Sequence, residues 1–109
     1  MVESKAYTLF ADLLDEMPDI PKDGILSRTI FKTDNLKAVM FAFDAGQELS
    51  EHTSTHPAIL HFLKGEASVT LGDDTHAAQA NTWIHMPPNL AHSIVARTPL
   101  VMLLILQGD

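Results

Sequence analysis

GQELSEHTSTHPAILHFLKG, residues 46–65, begins and ends on glycine and carries His52, His56 and His61. Its counterpart at 81–92, NTWIHMPPNLAH, adds His85 and His92, and the sixth histidine, His76, lies between the two. The chain has no cysteine to compete with imidazole for a metal. If 52–62 is extended, period two puts His52, Ser54, His56, Ala58, Leu60 and Phe62 on one side and His61 on the other; a bulge, or the turn at Pro57, would shift that phase. His92 stands just past the Pro87-Pro88 stop, at the head of a strand beginning at Ser93. Two histidines from one strand and a third from a partner strand form a ligand geometry that a closed barrel can hold in its mouth.

Outward from this stretch the pattern is that of strands. ILSRTIF (25–31) and LKAVMFAF (36–43) are rich in β-branched and aromatic residues and are separated by the turn-like KTDN. The second run is nearly all apolar, as a strand covered on both faces requires. Residues 59–63 and 67–71 flank Lys64-Gly65-Glu66, and in the latter Ala67, Val69 and Leu71 alternate with Ser68 and Thr70, so one face points inward. Gly72-Asp73-Asp74 is a turn, followed by a polar, alanine-rich stretch to Gln79. Trp83 to Met86, 93–97 and 100–106 complete a set of about eight short strands punctuated by Gly and Pro. Such spacing calls for an all-β sandwich or barrel.

Only the N-terminus reads differently. In SKAYTLFADLLDEM (4–17), Ala6, Leu9, Phe10, Leu13, Leu14 and Met17 fall at helical spacing, with Asp12, Asp15 and Glu16 opposite and Ser4 placed to cap. The expectation is a short helix laid across the outside of the domain. Residues 1–24 are then helix and connection, and 25–109 the barrel.

Composition narrows the function classes. A hydrophobic fraction of 46% with 19% charged residues suits one folded domain of 109 residues, too small for two cores. Fourteen acidic against seven basic residues, the latter scattered singly, argue against nucleic acid, which needs a basic stripe. The longest apolar run, 100–106, is far short of the roughly 20 residues of a membrane-spanning helix. The first residues lack the pattern of a secretory signal, so a cytoplasmic protein is expected.

The glycine, proline and histidine spacing resembles the two motifs of the cupin superfamily. The first family motif reads Gly, five residues, His, one residue, His, three or four residues, Glu, six residues, Gly. Here Gly46, His52 and Gly65 are in register, while Ser54 stands where the second His belongs and Ala58 where the Glu belongs. The second motif reads Gly, five residues, Pro, one residue, Gly, two residues, His, three residues, Asn. Here Asn81, Pro87, Asn89, His92 and Ala96 occupy those places. Asn replaces both glycines, and Asn is the commonest substitute where φ is positive. The likeness spans roughly 36–106.

The resemblance implies a double-stranded β-helix, or jelly-roll barrel, that binds a small molecule and pairs into a homodimer through one sheet face, for which the runs at 25–31 and 100–106 are suited. It implies a divalent transition metal (Zn, Ni, Fe or Cu) held by barrel histidines. Only His52 and His92 match family ligand positions. His56, two residues beyond the missing histidine and in its phase, is our candidate for the third ligand, and Glu48 shares that phase as a carboxylate. A three-histidine set would resemble cupin dioxygenases, and isomerases share the same barrel. The alternative is a metal-free binding or sensor domain without catalysis. In either case His61, His85, Phe62 and Trp83 are candidates for the ligand pocket, and no nucleic acid or membrane is expected as partner.

Overall fold

The computed structural model describes residues 6–108. Nine strands follow one another: β1 (Ile25–Lys32), β2 (Leu36–Phe43), β3 (Glu48–His52), β4 (Ala58–Lys64), β5 (Ala67–Leu71), β6 (Asp74–Ala78), β7 (Trp83–Met86), β8 (His92–Ala96) and β9 (Leu100–Gln107). They form a five-stranded sheet in the order β1-β2-β9-β4-β7 and a four-stranded sheet in the order β3-β8-β5-β6. All pairings are antiparallel. From β2 onward nearly every connection passes from one sheet to the other, which winds the chain into the all-β jelly-roll barrel expected from the strand spacing.

The inner faces meet in a core that includes Phe43, Leu60, Phe62, Val69, Met86, Ile94 and Met102. Burying one such side chain stabilises the fold by about 1.5–3 kcal/mol. The five-stranded sheet also buries its other face along β2 and β9: Ala38, Met40, Ala42, Val101 and Leu103 lie under Met17, with Leu13, Leu14 and Ile20 packed beside them. Strands covered on both faces cannot alternate, which is why β2 and β9 read as continuous apolar runs. The apolar run of β9 is therefore accounted for within the chain.

The segment that covers this face differs from the expected helix. Residues 6–12 have no helical structure, and a single 3-10 turn spans Leu13–Glu16, capped by Asp12, whose carboxylate accepts the Leu14 N–H at 3.0 Å. Ser4, expected to cap a longer helix, lies outside the described residues. The helical stripe was only partly a packing stripe: Leu13, Leu14 and Met17 reach the sheet, whereas Leu9 is 75% exposed. A stretch of some fourteen residues is marginal as an isolated helix, and tertiary contacts hold only its last turn here. Asp12 competes for the helix backbone by capping from within.

Two strands carried no clear sequence signal, and both lie at sheet edges. β6 shows a single buried residue, Ala78, so DTHAA has no alternation to read. In β3 the ladder pairs Leu49 with Ile94 and His52 with His92, so three steps on β3 match two on β8. That extra residue is a bulge, and it hides the alternation.

Turn chemistry agrees with the spacing. Asn81 and Asn89 adopt φ of 75° and 68°, the left-handed conformation expected where they replace glycine. Gly65, at φ 87°, carries the chain from β4 in one sheet to β5 in the other, and a Cβ there would run into the Pro99 carbonyl. Asp44 ties the start of β1 to the end of β2, accepting the Asp23 and Ala45 N–H groups at 2.8 Å each. Those two bonds hold its carboxyl below the usual aspartate value.

Candidate functional site

One end of the barrel gathers the β3–β4 loop and the β7–β8 loop, and the Asn89 N–H donates to the Ser54 carbonyl at 2.7 Å to join them. His52 ends β3 and His92 begins β8, so both open into this end. Their pairing across the ladder follows from the bulge in β3. Strict period two would turn His52 to the face opposite Leu49; the extra residue returns it to the inner face, beside His92.

The two imidazoles stand 4.2 Å apart, centroid to centroid, with planes inclined at 57°. The His52 Nδ1 is 2.8 Å from the Ser50 carbonyl oxygen, and the His92 Nδ1 is 2.9 Å from that of Leu90. A carbonyl oxygen only accepts, so Nδ1 carries the hydrogen in both rings and donates it. In the neutral rings each Nε2 is then left with a free lone pair. His52 lies at the exposed rim, while His92 is only 6% exposed. Burial pushes the His92 imidazole below its ordinary value; the bond to Leu90 opposes this and the adjacent His52 adds to it.

A metal demands deprotonated nitrogen donors oriented by a second hydrogen bond, and this pair supplies two of them. Among the described residues no three His, Cys, Asp or Glu side chains come together as a metal-holding group. His56 sits half-buried in the bend before β4, its N–H donating to the Ser54 hydroxyl at 3.2 Å. Ser54 is thus used in the loop, and Ala58 faces the apolar core. Glu48 pairs with Val95, one residue from Leu49, and so lies on the outward face, away from the histidine pair.

The family model for the cupin domain matches residues 39–106. The chain is a cupin. No curated protein matches its sequence. Among solved structures it is similar to a conserved protein of unknown function from Streptococcus pyogenes, at 31% identity and a TM-score of 0.82, covering 98% of this chain and 91% of that one. A cupin superfamily protein from Desulfitobacterium hafniense follows at 23% identity and 0.79, covering 84% of each chain. KdgF from a Halomonas species aligns at 26% identity and 0.73, covering 79% of this chain and 81% of that one.

The other histidines of this cupin lie elsewhere. In β4, Ala58, Leu60 and Phe62 point into the core, with Phe62 wholly buried, and His61 points out of the barrel. His61 pairs with Trp83, and Ile59 with His85, so His61, Trp83 and His85 share the outer face of the five-stranded sheet. Trp83 and His85 also line an open cleft of about 440 Å³ at the edges of β6 and β7. His76, which lies between the two histidine-bearing stretches in sequence, belongs to the same cleft. Its role there had no local signal, because β6 itself was not legible.

Proposed function

We propose that this cupin binds a small molecule at the barrel mouth and that His52 and His92 hold a divalent transition metal there through their Nε2 atoms. The observation that supports this most directly is the matched pair of Nδ1–H bonds to Ser50 and Leu90, which preset both rings for ligation. Imidazole suits Zn, Ni, Fe(II) or Cu and does not choose among them. His56, on the adjoining loop, is the third donor in this reading and must swing toward the pair on loading. When bound, such an ion supplies Lewis acidity and an open coordination position. The chain's own residues do the rest: the carbonyls fix the tautomers, burial keeps His92 neutral, and the apolar core behind it excludes water. A dioxygenase-like or isomerase-like activity fits this arrangement.

Elemental analysis after reconstitution with each of the four metals tests the proposal. Stoichiometric metal is expected, lost in His52→Ala and in His92→Ala with the far-UV spectrum unchanged, weakened in His56→Ala, and falling off below about pH 6. No uptake of any of the four would sink the metal reading. A second reading, a metal-free binding or sensor domain, is favoured because no third donor joins the pair among the described residues; there the same two imidazoles hydrogen-bond an organic ligand. A homodimer is part of either reading. Edge strand β1, with Leu26 exposed, is the surface for it, and light scattering at the mass of one chain would remove it.

A further inference from the structure

We propose that the lateral cleft between β6 and β7 is a second binding site, for a small uncharged planar ring compound that carries hydroxyl groups. The cleft exists because β6 and β7 are edge strands of different sheets, so the barrel parts between them. Its volume of about 440 Å³ falls within the range of small-molecule sites. Leu71 and Ile84, both packed against the core, form an apolar floor. Trp83 lines it with an indole 58% exposed, a costly placement for the largest apolar side chain in the sequence. An exposed indole beside a concave apolar floor is a stacking surface for a flat ring.

The polar groups select what the ring carries. His76 comes from β6 and His85 from β7, so each of the two edge strands contributes an imidazole to the lining, with Thr82 adding a hydroxyl. A neutral imidazole donates at one nitrogen and accepts at the other, which matches hydroxyl groups. Among the described residues no lysine or arginine lines the cleft, Asp74 opens β6 next to it with Asp73 just before, and the chain carries a net charge of −7. That field disfavours an anion. Leu71 also pairs with His92 across β5 and β8. The cleft therefore ends one strand, about 4.8 Å, from the histidine pair. The inference does not rest on a metal at that pair.

Trp83 is the sole tryptophan of the chain, so its fluorescence reports this site alone. Resorcinol, benzoate and cyclohexanediol are titrated into the full-length protein in EDTA, with calorimetry alongside. Resorcinol should quench Trp83 saturably and bind more tightly than the other two. Its Kd should rise about five- to tenfold in His76→Ala and in His85→Ala, the loss of one hydrogen bond each, while the far-UV spectrum stays unchanged. Tighter binding of benzoate would overturn the uncharged ligand, and equal binding of cyclohexanediol the stacking. The absence of saturable quenching, or an unaltered Kd in both variants, would overturn the site.

Discussion

The two sheets of this barrel have divided their work. The five-stranded sheet is covered on both faces along β2 and β9, by the barrel core on one side and by Met17 and its neighbours on the other. The four-stranded sheet is covered on one face, and its outer side carries Glu48, Ser68, Thr70 and Ser93, with Arg97 bonded to the Ser68 hydroxyl at 2.7 Å. His52 and His92 belong to this second sheet, at strand ends where the backbone departs from regular pairing. The five-stranded sheet also has register shifts, at Thr29–Phe31 and at Phe62–Lys64, but the shift in edge strand β3 is the one that turns a histidine onto a second histidine. Both sheets share the barrel core, but the second buried layer belongs to the five-stranded sheet and the histidine pair to the four-stranded one.

The largest test of this division is at the joint between the sheets. Gly65→Ala forces a Cβ toward the Pro99 carbonyl in a backbone conformation already unfavourable for L side chains. A loss of about 4 kcal/mol or more is expected from strain and displacement together, read as a drop in the urea midpoint. An unfolding free energy within about 0.5 kcal/mol of the parent, on the scale expected of an ordinary surface change, would mean the joint is pliable.

Next comes the contrast between the two covered faces. Phe62→Ala, in the core between the sheets, should cost about 3–5 kcal/mol, and Met17→Ala, under the N-terminal segment, about 2 kcal/mol. Equal losses would show that the N-terminal segment is as integral as the barrel.

The four-stranded sheet should in turn carry a pH signature. In the unfolded chain His92 takes up a proton near the ordinary value of 6.5, and in the folded protein only at lower pH, chiefly because burial disfavours the imidazolium. Between those two values the unfolded chain binds more protons. Stability is therefore fully retained above about pH 6.5 and declines as pH falls through that window. With metal chelated, the urea midpoint should drop between pH 7 and pH 5 in the parent and less steeply in His92→Gln. Parallel profiles would assign the decline to other groups.

The smallest effect is expected at the ion pair between the N-terminal segment and β1. Arg28 approaches Glu16 at 3.6 Å and also donates to its backbone carbonyl at 2.9 Å, in an exposed setting. Arg28→Ala should cost at most about 1 kcal/mol, measured by thermal melt. A larger loss would make this clasp, and not Met17, the anchor of the segment.

Much of the barrel was legible because its signals are local. A glycine or asparagine at positive φ, a proline stop and a two-residue alternation each act within a few residues, so Gly46, Gly65, Asn81, Asn89 and Pro87 placed the turns and the apolar runs placed seven strands. The helix expected over 4–17 failed for the complementary reason. Its periodic stripe was real, but among the described residues Leu13, Leu14 and Met17 are the members of that stripe that pack on the sheet cluster. β6 was hidden because it buries only Ala78, and β3 because its bulge breaks the alternation.

The candidate site divides in the same way. By itself the sequence determined that His52 and His92 stand at matching places in two motifs and that Ser54 and Ala58 remove two expected donors. Only the tertiary structure decided that a bulge turns His52 onto His92, that backbone carbonyls set both tautomers, and that His61 and His85 face outward from the barrel. Those outcomes depend on which strand lies beside which, and pairing across a sheet joins residues forty positions apart that no local pattern connects.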